Sequence, residues 1–557
     1  METSKIRKLR PRPKTISISM FILIVSAVFV LGCTSPKANL SFVEQVNADL
    51  RNTPSAAGGV NYYVCDKGDD ANDGRSELTP FKSFSKGMST FNTMNAGDSV
   101  LFCRGGVFSV SATKLFNQKC SASSVCTIAD YGDGSLERPQ LVANDVTALR
   151  FEEGGSADQD GGYAVRNLIL SSSTKTKIGV FFFNEVDDVV LDNLHIQGFH
   201  IGVYAAGTNG LNLGANGYND RITLKNSTIL DNEGQGWLGG GNELLIENNH
   251  FENNGFGKAV YNHNIYLESP SKQLGFSINT VTIRGNTLYK TAIVNGQCSG
   301  VSLVAHGVIS NLTIEDNLIK EDVGAVSPHC WGIGIDPGNT LDEVFTNVRI
   351  INNKLLNMGN IAIECSSCDG VVVEENTITD QANILLAGIK IPGKPEDSVK
   401  SRNVLISNNR IILHKDADRA AGISIGGEHV FNVNNNVISQ PSTSTVECIT
   451  KSGANLNTDT SSNVCQRYTD IVYIDSATVV DASEGIVTDP TIADSTADSA
   501  EPILRSRAAR SREVINRTEA DEAYKKPTRG DYVRYERKAG DRRRCRATSS
   551  TGECLMR

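Results

Sequence analysis

The sequence predicts an all-β solenoid of stacked parallel rungs, opened by a helical cap and followed by a poorly ordered C-terminal tail. Three observations predict it. Short apolar strands, most of them led by Gly, recur from about 160 to 440, among them IGVYAA (201–206), SGVSLV (299–304), WGIGID (331–336), AGIKIP (387–392) and AGISIG (421–426). A second form, apolar-x-x-Asn-x-apolar, alternates with them. Its asparagines are Asn249, Asn286, Asn317, Asn353, Asn376, Asn409 and Asn436, at intervals of 37, 31, 36, 23, 33 and 27. Third, 50 Gly in 557 residues suits a chain of many turns. A repeat with a floor near 23 residues and variable insertions is a coil of short strands that pair in parallel with the next coil. An asparagine fixed at one turn can stack on its counterpart a rung away and satisfy the backbone at the bend. Leucine-rich repeats would need Leu at fixed spacing and a helix in each unit, and neither is present.

Residues 1–33 read as an address. KIRKLRPRPK is a basic segment, and MFILIVSAVFVLG is an apolar run too short for a structural membrane helix. VLGC (30–33) resembles the lipobox of bacterial lipoproteins, which implies lipidation of Cys33 and a membrane anchor. Thr34 and Ser35 follow it, which resembles the outer-membrane sorting pattern of Gram-negative lipoproteins, so an outer-membrane lipoprotein of the cell envelope is expected. Residues 34–58 are the expected tether. Apart from Cys33 the chain holds twelve cysteines, an even number that favours disulfides in an exported protein.

Residues 59–110 are expected to form the N-terminal cap. A helix over 80–94 would place Phe81, Phe84, Met88 and Phe91 on one face and cover the open apolar end of the solenoid. The segment 62–109, with its acidic Gly-rich loop, GDSV and GGVF, resembles the first module of many carbohydrate-active β-helices. The repeat over 111–474 resembles the right-handed parallel β-helix family that includes pectate lyases and their relatives. That resemblance implies a right-handed parallel β-helix. It leaves the chemistry open, because the fold carries lyases, hydrolases, epimerases, adhesins and inert scaffolds.

Charge divides the chain. Residues 1–14 carry a local +5 and 501–557 a local +7 against −9 overall, which leaves −21 for 15–500. An acidic body argues against nucleic acid as a partner. The stretch 475–557 is Ser/Thr/Asp/Ala-rich and then Arg-rich, and reads as the low-order tail. A monomer is expected.

Alternation then assigns faces. Counted from the leading glycines, one outward column reads Phe181, Tyr204, Tyr266, Ser302, Gly334, Ala362, Lys390, Ser424. The next reads Phe183, Ala206, Glu268, Val304, Asp336, Glu364. Cys298 and Cys330 fall at the same place on adjacent rungs and are expected to bridge, as are Cys365 and Cys368 in ECSSCDG. Glu268, Asp336 and Glu364 form an acidic strip with Lys390 beside it and His263, His306 and Tyr266 at the strand edges. Solvation of an exposed sheet would also account for such charges.

The resemblance to β-helix lyases implies elimination on a uronate-containing polysaccharide. Asp336, Glu364 and Glu268 would hold calcium against the substrate carboxylate. Lys390 would be the base, and His306 or Tyr266 the proton donor. Tyr204, Phe181 and His263 would bind substrate. Two alternatives stand beside it. One is a glycoside hydrolase using Asp336 and Glu364 on adjacent rungs. The other is a non-catalytic glycan-binding or adhesin-like scaffold, with Tyr204, Tyr266, Phe181 and Phe183 as sugar-stacking platforms.

Overall fold

A computed structural model describes residues 59–152, 161–183, 185–206, 219–269, 277–338, 340–469, 471–473 and 479–481. The signal and tether, 1–58, with Cys33, lie outside the described residues. So does the tail 475–557, apart from the strand Val479–Asp481, which pairs antiparallel with Ile471–Tyr473.

The chain is a right-handed parallel β-helix. Three parallel sheets of 13, 12 and 13 strands run its length. The first extends from Asn61–Val64 to Asn432–Asn434, the second from Lys114–Leu115 to Ile449–Lys451, and the third from Val107–Ser109 to Val464–Tyr468. One coil shows the order: Leu244–Glu247 in the first sheet, His250–Glu252 in the third, Ile265–Glu268 in the second, and back to the first at Ile278–Arg284. Inward side chains make one continuous apolar core from Val64 to Ile449.

The corner from the first sheet to the third explains the asparagines. It takes two residues. The first is left-handed, as at Asn248 (φ 56°), Asn352 (φ 51°) and Asn408 (φ 57°), a conformation that a short polar side chain tolerates. The second is the ladder asparagine. Asn353 shows the pattern: its backbone N–H and its Nδ2 both donate to Asn376 Oδ1, at 2.9 and 3.0 Å, and Nδ2 also donates to the Ile314 carbonyl. The ladder runs as expected through Asn249, Asn286, Asn317, Asn353, Asn376, Asn409 and Asn436, and continues to Asn463. At its start Ser227 takes the place of an amide, accepting from Leu194 N and donating from its own N–H to Asn249 Oδ1.

The cap is shorter than the spacing suggests. The helix is Phe84–Phe91, with Ser83 as N-cap accepting from Lys86 N. Phe81 stands before it, bridged to Val64, because the free edge of the first strand takes up its backbone. All four predicted apolar residues are nevertheless buried, and the Phe84 ring stacks on Phe102 at 6.2 Å. The expected disulfides Cys298–Cys330 and Cys365–Cys368 are present, with Cys65–Cys103, Cys120–Cys126 and Cys448–Cys465 besides.

Candidate functional site

The second sheet carries the candidate site, in a register that corrects the sequence reading. Strand pairing puts Phe181, Tyr204, Leu238, Tyr266, Val304, Gly334, Glu364, Lys390 and Ser424 in one column. Ser302 and Ala362 are not in it; both are buried. They stand in the corner column with Gly202, Gly236, Gly332, Gly388 and Gly422, where side chains point inward against the third sheet. A Cβ at Gly332 would lie 2.6 Å from Leu355 Cδ2, so at that rung only a hydrogen fits without a shift, whereas Asn264 fills the same column between Gly236 and Ser302 by bonding to Thr291. Counting from Gly300 therefore misplaced its strand by two residues, and "NIAIEC" has Ala362 where its neighbours have glycine. Glu364 consequently lies directly opposite Lys390, and not in the row of Glu268 and Asp336. In that next row Glu268 faces His306, with Asp336 one rung beyond.

The acidic strip has a cation of its own, and it is Lys394. Its Nζ lies 3.0 Å from Glu364 Oε1 and 3.5 Å from Asp336 Oδ2, so those two oxygens are no further apart than the sum of the two distances. Lys394 reaches them because the chain turns sharply after Ala387–Ile391. At Gly393 a Cβ would run into the backbone of Gly427. Glu364 is buried, and its Oε2 has no hydrogen-bond partner among the described residues. Burial pushes its carboxyl above the ordinary value, against the opposing pull of Lys394 and Lys390. Burial works to lower the Lys394 ammonium, but the charges of Glu364 and Asp336 prevail and hold it above its ordinary value. Asp336 is more open, with its side chain 29% exposed against 2% for Glu364. A calcium ion at Asp336 and Glu364 would have to displace Lys394.

Tyr266 joins the strip to two histidines. Its ring meets His263 at 5.5 Å and His306 at 5.4 Å, both edge-on. Burial raises its hydroxyl, helped by the charges of Glu268, Glu343 and Asp336. His306 holds the Asp336 carbonyl with Nδ1 at 2.7 Å. His263 is corrected: it is buried, with Nδ1 3.0 Å from the Val301 carbonyl, and does not face a substrate. Burial, then the nearby His306, lowers its imidazole to about 3. Alternation carried that signal, since His263 shares its parity with buried Ile265 and Leu267.

Further along the column Phe181 and Tyr204 stack at 5.2 Å with 16° between planes. The Arg150 guanidinium lies over Phe181 at 5.7 Å and over Phe183 at 4.7 Å. Two site residues escaped the sequence reading. Lys394 sits in a loop, where alternation says nothing. Glu343 is buried, and its carboxylate accepts from the backbone N–H of Gly307, Gly338 and Thr340. The structure thus brings together Tyr266, Glu268, His306, Asp336, Glu364 and Lys390, and sets Phe181 and Tyr204 apart as an aromatic platform.

No protein-family model matches the chain. A curated relative, the lacto-N-biosidase of Bifidobacterium longum subsp. longum, is 24% identical over 367 residues, which is 60% of this chain and 21% of the relative. The chain therefore spans about a fifth of the length of that relative. Among solved structures, the GH136 lacto-N-biosidase from Eubacterium ramulus is similar at a TM-score of 0.41 and 14% identity, over 76% of this chain and 69% of that one. The alginate lyase from Paenibacillus sp. str. FPU-7 is similar at a TM-score of 0.32 and 13% identity, over 69% of this chain and 95% of that one. By their names these proteins are carbohydrate-active.

Proposed function

We propose that the protein is a glycoside hydrolase, with Glu364 as general acid and Asp336 as nucleophile. The observation that carries it is the split between two carboxyls that share one ammonium. Glu364 is buried and held towards its neutral form, whereas Asp336 is the more exposed of the two and lies beside Lys394. Such a difference of environment gives one carboxyl a proton to donate and leaves the other ionised. The ceiling that Lys394 sets on the distance between those two oxygens admits the retaining spacing of about 5–5.5 Å. A sugar entering between them takes the place of the Lys394 ammonium, as a calcium ion would have to. The Phe181–Tyr204 platform supports the reading, because aromatic faces stack on sugar rings. The curated relative supports it too, being named a lacto-N-biosidase.

Uronate elimination is the weaker reading. The calcium it needs at Asp336 and Glu364 competes with Lys394 for the same oxygens, and the curated relative is named a lacto-N-biosidase. Calcium enters this proposal only as a competitor of Lys394. Anchoring through Cys33 in an outer membrane, and a monomeric state, belong to the same proposal of an envelope enzyme.

The test is reducing-end release from nitrophenyl lacto-N-bioside and a panel of neutral oligosaccharides, with and without chelator. Turnover indifferent to chelator is expected, with no absorbance gained at 235 nm. Glu364→Gln and Asp336→Asn should each lower it by about 10²–10⁴. Unaltered turnover in both variants, or a chelator-sensitive rise at 235 nm on pectate or alginate, would sink the proposal.

A further inference from the structure

A groove of about 910 Å³ lies on the third sheet, away from the candidate site on the second. Its floor crosses successive rungs. Val142, Ser171 and Gln197 lie side by side in register, with Leu230 next, at about 4.8 Å per step. Its far wall is a small antiparallel hairpin, Ile293–Val294 with Gln297–Cys298, that belongs to none of the three sheets. Asn295 (φ 52°) and Gly296 (φ 80°) form its two-residue turn, the Asn-Gly pair that such tight hairpins favour. The Cys298–Cys330 disulfide ties the hairpin to the coil. A wall that adds no rung to the solenoid is thus covalently braced.

The lining has the character of a neutral hydrogen-bonding surface with one aromatic face. Its charged side chains are Lys175 and Asp231, and both are engaged. Lys175 lies 4.7 Å over the Phe256 ring, and Asp231 accepts from Asn253 Nδ2 at 2.7 Å and from Gln197 Nε2 at 3.4 Å. Hydrogen-bonding capacity is left over. Asn144 Nδ2, Gln140 Oε1 and the Asn295 side-chain amide have no partner among the described residues, whereas Asn144 Oδ1 accepts from Ser173 and Gln140 Nε2 donates to Ser171. A groove of this size, with amides, hydroxyls and an aromatic but no net charge, suits a chain of neutral sugars better than a polyanion.

We propose that this groove is a second carbohydrate-binding site, which holds a neutral oligosaccharide along the coil axis. Phe256 stacks on one sugar ring, and Asn144, Gln140 and Asn295 meet its hydroxyls. The proposal rests on the chain being glycan-active, and not on the hydrolytic roles of Asp336 and Glu364.

The test is calorimetric binding to the full-length Asp336→Asn protein. The probes are maltohexaose, cellohexaose, laminarihexaose and xylohexaose, with hexagalacturonate as the charged probe. At least one neutral probe should bind, and adding Phe256→Ala should weaken it by about tenfold, whereas Phe256→Tyr keeps it. In the protein with Asp336 intact, Phe256→Ala should leave turnover of nitrophenyl lacto-N-bioside unchanged. Binding by no neutral probe, preference for hexagalacturonate, or equal affinity in Phe256→Ala would overturn the groove as a sugar site. Phe256-dependent binding without any hydrolysis would uphold the groove and count against the hydrolase. Hydrolysis without such binding would do the reverse.

Discussion

The asparagine ladder and the cluster around Lys394 are both stacks of polar side chains at rung spacing, yet they are finished differently. In the ladder each amide accepts from one neighbour and donates to the next, and its nitrogen also reaches a backbone carbonyl. No charge is buried. In the cluster a carboxyl is buried with one oxygen unpartnered, and one lysine serves two acids. Where polar groups answer each other completely, they fix the coil. Where they do not, chemistry has room, because a group held away from its ordinary ionisation is one that can exchange a proton.

The largest effect expected from breaking this contrast is in the ladder. Asn353→Ala leaves Asn317 N and Nδ2 without their acceptor and the Ile314 carbonyl without its donor, all buried. At about 1 kcal/mol for each, a loss of about 3 kcal/mol is expected in urea unfolding, with turnover per folded molecule unchanged. Asn353→Ser should recover part of it, since Ser227 already fills one ladder step. A loss well below about 1 kcal/mol would mean that the coil does not depend on the ladder.

The cluster should respond to pH instead. The Glu364 carboxyl is raised above its ordinary 4.5, so its contribution to stability is full below that value and is lost as pH rises through the folded one. Lys394→Met removes the charge that opposes the rise and moves the loss further. The variant should match the parent near pH 4 and fall below it by about 2 kcal/mol at pH 8, less than a fully buried pair would give because Lys394 is partly exposed. A deficit of the same size at both pH values would show that Lys394 acts through packing alone.

The same contrast decides what the sequence could show. The ladder was legible because each step repeats one residue at one turn, and insertions fall between steps without disturbing it. The Cys298–Cys330 bridge formed although the count from Gly300 that suggested it was off by two residues, since Val301 pairs with Trp331 and Cys298 is not level with Cys330. The sheet column was less legible, because glycine was taken as its mark. That corner also accepts Ser302, Ala362 and Asn264, so glycine does not mark it. Glu364 therefore landed one row from its place. Lys394 was out of reach, since it stands in a loop and meets its partners across three rungs. The signal present was its position four residues after Lys390, beyond a proline and a glycine.

The smallest effect expected concerns the aromatic platform. Tyr204 lies five strand steps from Glu364 in the column, about 24 Å at the rung spacing, so the platform would serve a distant sugar unit and not the reacting one. Phe183 is 36% exposed under Arg150, and Phe183→Ala should cost only about 0.5–1 kcal/mol of stability. The informative readout is kinetic. On a substrate long enough to span the column, KM should rise with kcat unchanged, the mark of binding that is equal in ground and transition states. On nitrophenyl lacto-N-bioside neither should change, because a disaccharide is too short to reach from Glu364 to Phe183. A fall in kcat on both substrates would place the aromatic cluster in the frame of the sheet, since only a disturbance carried along the strands could reach the carboxyls from there.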